Sequence, residues 1–330
     1  MPSPSRKPFS RRAVLPGLAL VLAAPALARA QGFPSKAIRF VVPYPAGGSI
    51  DALARMLAQE LQAAKGWTVV VENKGGAAGA VGTREVAKAE PDGTTLVIGT
   101  NQTHATNAFL LKEPGYDPVT SFAPVAGLAD LQHALVVPKA SPATSLEEFV
   151  ALARKQPGKL NYGSTGNGSA SHLAMELFKA KAGIEMQHVA FRGAAPLSLE
   201  LVAGRIDAGF STLPTVVSLI ESGELRALAV ASDRRATQLA SVPTLAEAGV
   251  RGCEADAWMA LFAPARTPED VLATLADATR TALAKPELIA AAGKQGIAIN
   301  FRDRAAFAAF QTAEIAKWAD VARLAKVVAE

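Results

Sequence analysis

The sequence predicts an α/β protein built as two lobes, and three features predict it. Short β-branched runs alternate with stretches of helical period, the pattern of βα units stacked into sheets covered on both faces. Half of the residues are apolar, enough to bury a substantial core. The 330-residue chain, less a leader of thirty, has the length of about two ordinary domains.

The leader comes first. Arg6 and Lys7, then Ser10-Arg11-Arg12, precede an apolar run from Val14 to Leu27, which ends in Ala28-Arg29-Ala30 before Gln31. A basic start, a short apolar stretch and a small-x-small exit make a secretory signal over 1–30, with cleavage before Gln31. The run is too short for a membrane span of ~20 residues, and Pro16, Gly17 and Pro25 interrupt it. The paired arginines favour the twin-arginine route over an ordinary secretory signal whose basic end happens to contain two arginines, and by either route the expected location is the periplasm. Removing the leader's five bases from 34 leaves 29 Lys and Arg against 29 Asp and Glu, so the basic balance belongs to the leader. Nothing in the remaining bulk charge calls for nucleic acid or an anionic membrane. Cys253 stands alone, so no internal disulfide is available and stability must come from packing.

Behind the leader, 38–42 reads as a buried strand closed by Pro43, and Ile50, Leu53, Ala54, Leu57 and Leu61 then recur at helical spacing. Further strands are expected at 68–71, 94–98, 134–137, 160–162, 188–191, 206–210 and 225–231, with helices at 145–155, 170–182 and 195–203. This alternation predicts parallel sheets, in which ligands bind where loops leave the carboxyl ends of the strands. Residues 268–330 read as mainly helical, alanine-rich and structural. No repeat and no low-complexity linker divides the chain, so the lobes should be joined by crossing strands.

Three polar loops follow strands and precede helices. The first runs Pro43-Tyr44-Pro45-Ala46-Gly47-Gly48-Ser49-Ile50-Asp51, with Ser49 placed to cap the helix that follows. Its free N–H groups and the helix dipole suit a carboxylate or phosphate, although a plain tight turn uses the same glycines and prolines. The second, Asn161 to His172, contains Ser164, Thr165, Gly166, Asn167 and Ser169, more small hydrogen-bonding residues than a turn needs. The third is Thr100-Asn101-Gln102-Thr103-His104. A lone histidine such as His104 is more often structural than a ligand contact. The glycine-rich 72–79 stretch either lines the same cleft or shapes a bend. Each helix N-terminus contributes ~0.3–1 kcal/mol toward an anion. Each hydrogen bond to a charged carboxylate adds ~1.5–3 kcal/mol. Two such loops closing on one molecule approach the ~8 kcal/mol of micromolar affinity.

Catalytic signatures are missing: no His-Glu-x-x-His, no Gly-x-Ser-x-Gly, no Walker loop. The histidines at 104, 133, 172 and 188 have no metal-ligand spacing, so neither a metal nor a cofactor is expected. A loop serine working with His172 or His104 in a secreted hydrolase remains an alternative, as does a sensory module that presents ligand to a membrane kinase.

The loops resemble those of the Bug or TctC-type substrate-binding proteins of tripartite tricarboxylate transporters. The resemblance is carried by residues 44–55, by Val71-Glu72-Asn73-Lys74-Gly75-Gly76-Ala77-Ala78-Gly79, by Pro91-Asp92-Gly93-Thr94-Thr95-Leu96, by 161–173, by Phe191-Arg192-Gly193 and by 242–249. It implies a type II periplasmic binding-protein fold: two Rossmann-like lobes joined by two crossover strands, 31–130 plus 255–330 forming the first lobe and 131–254 the second. It implies a non-enzymatic receptor that captures a small organic acid and delivers it to membrane transporter subunits, and a monomer is the default expectation for such a carrier. Carried over, Ala46, Gly47, Gly48 and Ser49 seat one end of the ligand and Ser164, Thr165, Asn167 and Ser169 the other; the loops themselves add Tyr44, Gly166, Asn101, Thr103 and His104 as candidate ligand contacts. Asp207 matches an acidic position that holds a water or a ligand amine. The chain departs from the family pattern at Gly75, Arg192 and Ser49-Ile50, where proline, lysine and glycine-threonine are more usual.

Overall fold

A computed structural model describes residues 33–324 and 327, so the leader and its cleavage point lie outside the described residues. Two mixed sheets form the two lobes. The first lobe opens with β1 (Ile38–Val42), α1 (Ser49–Lys65), β2 (Val69–Asn73), α2 (Ala80–Ala87) and β3 (Thr95–Thr100). A π-helical turn (Gln102–Thr106) leads into α3 (Asn107–Leu110), and β4 (Phe122–Leu131) carries the chain out of this lobe. The second lobe contains β5 (His133–Pro138), α4 (Leu146–Lys155), β6 (Asn161–Ser164), α5 (Ala170–Ala182), β7 (Gln187–Ala190), α6 (Ala194–Val202), β8 (Ala208–Thr212), α7 (Leu213–Glu221) and β9 (Leu225–Val230). The chain returns along β10 (Ala257–Pro264) and finishes with α8 (Glu269–Leu283), α9 (Pro286–Lys294), β11 (Ile297–Arg302) and α10 (Arg304–Leu324).

The strand orders are β11-β4-β10-β3-β1-β2 and β7-β6-β8-β5-β9. They correct the expectation of parallel sheets. Pairs β1·β2, β1·β3, β6·β7 and β6·β8 are parallel, as βα units require. The strands β4, β5 and β10, which run between lobes, pair antiparallel with their neighbours, as does β11 with β4. A chain that leaves a lobe and later returns must enter the second time in the opposite sense. Two passages, at Gln132 and at Asp256, connect the lobes. They are tied by the Ala231 N–H to the His133 carbonyl at 2.8 Å, by the Ala255 N–H to the Ala231 carbonyl at 2.8 Å, and by the Ser232 hydroxyl to Asp256 at 2.6 Å.

Packing follows the expected periods. α1 buries Leu53, Ala54, Leu57 and Leu61 against one face of the first sheet, where α8 and α9 complete a core with Phe40, Ile98 and Leu128. The other face joins a core that extends through Trp258, Phe262, Phe307 and Trp318 into Leu173, Leu177 and Phe178 of α5. α10 therefore packs on both lobes. A smaller core lies under α6 and α7.

Candidate functional site

The carboxyl ends of the parallel strands of both lobes open onto one cleft of about 760 Å³. From the first lobe it is lined by Tyr44 to Ile50 and by Thr100, Asn101 and Gln102; from the second by Thr165, Ser169, Ser171, Arg192 and Thr212. Leu131, His133, Ala257 and Trp258 close its floor, where the strands pass between the lobes. Four helices begin at this cleft, α1, α5, α6 and α7, and the first-turn N–H groups of each have no partner within their own helix.

Loop 1 is held by its own side chains. The Tyr44 hydroxyl lies 2.8 Å from the Thr100 hydroxyl and donates to Gln102 Oε1 at 3.2 Å, joining the first loop to the third. Burial raises the Tyr44 pKa, so the phenol stays protonated. Asn73 Nδ2 donates to the Tyr44 carbonyl at 3.2 Å. The expected cap from Ser49 is corrected: Gly48 occupies the N-cap position with no side-chain bond, and Ser49 is the first helical residue. The loop instead turns the Gly47 N–H back onto Asp51 Oδ2 at 2.9 Å, so that N–H is already satisfied. Burial alone pushes the Asp51 carboxyl up. Arg55 and the Gly47 N–H outweigh it and hold the carboxyl below its usual range.

Loop 2 is a hydroxyl network. Ser169 caps α5 by accepting from the His172 N–H at 3.3 Å. Ser171 Oγ accepts from the Thr165 N–H at 2.9 Å and lies 3.1 Å from Thr165 Oγ1 and 3.0 Å from Ser169 Oγ. Gly168 takes φ +67 beside Leu110 of the first lobe, and a Cβ at this position would meet Leu110 Cδ1 at 2.5 Å. Only glycine fits both the backbone and the contact between lobes here.

The cleft has a defined electrostatic character. Arg192 is the only side chain carrying a formal charge among the described residues that line it. His133 is buried, which pushes it down to about 4, and its Nδ1 lies 2.9 Å from the Ala255 carbonyl, so it faces the cleft neutral. Asn101 is 2% exposed, and its buried amide nitrogen has no hydrogen-bond partner among the described residues. Among the described residues no acidic side chain lines the cleft, and it is suited to an anion.

A family model described as the tripartite tricarboxylate transporter family receptor matches residues 53–326. The chain belongs to this family. It is 38% identical over 292 residues to a UPF0065 protein in the tcbD-tcbE intergenic region of Pseudomonas sp. (strain P51), covering 88% of this chain and 87% of that one. Its fold matches the solved structure of R. palustris Rpa4515 with adipate at TM-score 0.82 and 35% identity, over 90% of this chain and 100% of that one. MatC (Rpa3494) from Rhodopseudomonas palustris with bound malate matches at TM-score 0.77 and 31% identity, over 88% and 99%.

In this family receptor, the residues expected at the site divide into two groups. Tyr44, Ala46, Gly47, Gly48, Ser49, Asn101, Thr165 and Ser169 line the cleft. Thr103, His104, Ser164, Gly166, Asn167 and Asp207 do not. The π-helical turn directs Thr103 and His104 inward. The His104 ring is fully buried, stacked on Phe262 at 3.8 Å between centroids, with Nδ1 at 2.9 Å from Thr103 Oγ1. Burial pushes its pKa down to about 3, and it serves as a core residue. Asp207 stands at the opposite end of the second sheet, where Oδ2 accepts from the Asn161 N–H at 2.7 Å. A residue preceding β8 cannot reach a cleft at that strand's carboxyl end. The 72–79 stretch is likewise a bend, with its Ala78 carbonyl accepting from Asn107 Nδ2 at 3.0 Å.

Ser164 has a catalytic-looking neighbour, since Oγ lies 2.7 Å from His188 Nε2. The serine is nevertheless fully buried, and its Oγ also donates to the Gly166 carbonyl at 3.0 Å. His188 stacks on His172 at 3.9 Å, and His172 Nδ1 accepts from the Gly168 N–H at 2.9 Å. The pair therefore braces loop 2 from behind. Among the described residues no group of His, Cys, Asp and Glu could hold a metal ion.

His133, Ser211, Thr212, Thr215 and Trp258 line the cleft without having been expected there, and Thr100, Ser171 and Arg192, which belong to the loops singled out in the sequence, join them. Applying the carboxyl-end rule to the strands now seen as β7 and β8 would have found Arg192, Ser211 and Thr212.

Proposed function

We propose that the protein is a periplasmic receptor that captures a small organic acid between its lobes and delivers it, unchanged, to transporter subunits in the membrane. The observation that carries this reading is the cleft: helices from both lobes begin at it, hydroxyls and amides line it, and no acidic side chain does. Carboxylates in the related structures, adipate and malate, support the same ligand class. The first lobe comprises 31–130 plus 255–330 and the second 131–254, in keeping with the membership of the two sheets. The ligand seat is formed by Tyr44 and Ala46 to Ser49 on one side and by Thr165, Ser169 and Ser171 on the other, with Asn101 between them. The leader is removed before Gln31, after export by the twin-arginine route, and the mature receptor acts as a monomer. It acts without chemistry: among the described residues, the one serine with a histidine ring nitrogen at bonding distance is fully buried and does not line the cleft.

Titration calorimetry on the purified protein, unfolded and refolded to strip retained ligand, tests this. A panel containing adipate, malate and 3-phenylpropionate should give at least one acid bound at one site per chain, with Kd near or below ~1 μM and no product formed. Silence across the panel would remove the claim that this cleft takes carboxylates.

A further inference from the structure

Resting on the carboxylate reading, we propose that Arg192 makes this cleft select acids over their amides, and that the ligand is an organic acid without an ammonium group. Arg192 lies in the loop after β7, the strand at the edge of the second sheet farthest from the passages between lobes. Gly193, at φ +107, is the N-cap of α6 and turns the chain so that Arg192 precedes that helix at the cleft. The side chain is exposed and makes no hydrogen bond or ion pair with any described residue. The acids nearest in sequence are engaged elsewhere or distant: Glu200 pairs with Arg205 at 2.5 Å, and Asp207 bonds to Asn161 at the opposite end of the sheet. An exposed guanidinium on a residue that lines the cleft, its donors unused by any described residue, is suited to a carboxylate in bidentate geometry.

The rest of the lining sharpens the class. Leu131, Ala170, Pro196, Ala257 and Trp258 offer apolar surface to a ligand's body. Asn101 offers a buried, unpartnered amide N–H to an acceptor. Among the described residues no carboxylate lines the cleft to receive an ammonium group, so an α-amino acid would bring its positive charge into the cleft beside Arg192 with no acidic side chain to pair it. The His133 ring does not offset this, because it faces the cleft uncharged.

The test uses skeleton-matched sets on the full protein: adipate, adipamide and 2-aminoadipate; 3-phenylpropionate, 3-phenylpropionamide and phenylalanine. For the set whose acid binds, calorimetry should show the acid bound ~10- to 100-fold more tightly than its amide or its amino acid. Arg192→Gln should collapse the acid-to-amide ratio to within about threefold, while Arg192→Lys, which keeps the charge but loses the fork, recovers part of it. Because Arg192 has no partner to lose, both variants should melt with the wild type. A ratio unchanged in Arg192→Gln would overturn the assignment while leaving the carboxylate reading intact. An amino acid bound as tightly as its parent acid would overturn the ligand class. Binding of no acid at all would overturn both this assignment and the reading on which it rests.

Discussion

At the scale of single residues, the four histidines show how far chemistry is legible in a sequence. Their spacing excluded a metal site but did not show that His104, His133 and His172 are buried. Burial pushes His104 and His172 down to about 3 and His133 to about 4, and it also lowers His188. Unfolding returns each to an ordinary imidazole, which takes up a proton below about 6.5. Their contribution to stability is therefore complete above that pH and is lost as the pH falls toward the native values. Asp256, raised by burial to about 7, works in the opposite sense: the native carboxyl takes up its proton first, which favours the fold as the pH falls from 7 toward 4. With each strongly shifted histidine costing about 1.4 kcal/mol per pH unit, the histidines outweigh the single carboxyl. Denaturant unfolding should show lower stability at pH 5 than at pH 7, by a few kcal/mol. Equal or greater stability at pH 5 would contradict this. Residues that line the cleft were legible where glycines and hydroxyls crowd a loop, as at 46–49 and at Thr165 and Ser169. They were not legible where the same hydroxyl chemistry turns inward. Ser164 and Ser169 look equivalent in sequence, yet one packs against His188 and the other caps α5 at the cleft.

At the scale of elements, the βα units were plain, and α5 was expected at the bounds it adopts, Ala170–Ala182. Three strands were not expected, β4, β10 and β11, and all belong to the antiparallel part of the first sheet. The sequences of β4 and β10 explain their omission, whereas β11 alternates Ile297, Ile299 and Phe301 inside a stretch that reads as mainly helical. Ala257–Pro264 has no β-branched residue, Phe122–Leu131 contains Pro124 and Gly127, and β10 pairs with β4 through two register shifts. Tertiary pairing makes these segments strands, and local propensity says little about it. Contact between elements of the two lobes is equally invisible in sequence, and Gly168 is its clearest case. Gly168→Ala places a Cβ against Leu110 on a left-handed backbone, and strain from the backbone alone costs about 1–2 kcal/mol. Its denaturation midpoint should fall accordingly. A midpoint equal to wild type would show that loop 2 and α3 are not locked together in this way.

At the scale of the whole molecule, the order of the two sheets produces the site. Lobes joined by adjacent crossing strands bring the carboxyl ends of their parallel strands face to face. Helix N-termini from opposite sides then converge without any one loop carrying enough affinity alone. The crossing strands form the floor of the cleft, and relative rotation of the lobes about them would open and close it around a ligand. α10 packs on both lobes and ties the C-terminal segment, which reads as purely structural in sequence, into that arrangement. The central claim is that the acid is held in this cleft, between both lobes. Calorimetric titration of Thr165→Leu beside the wild type, with whichever panel acid the wild type binds, tests it most directly. Thr165 lines the cleft, its neighbour Ser171 keeps Ser169 as a partner, and a branched apolar side chain would block the seat. Affinity in the variant should be at least ~30-fold weaker, about 2 kcal/mol, with the melting transition retained. Wild-type affinity in a folded Thr165→Leu protein would place the ligand somewhere other than the cleft.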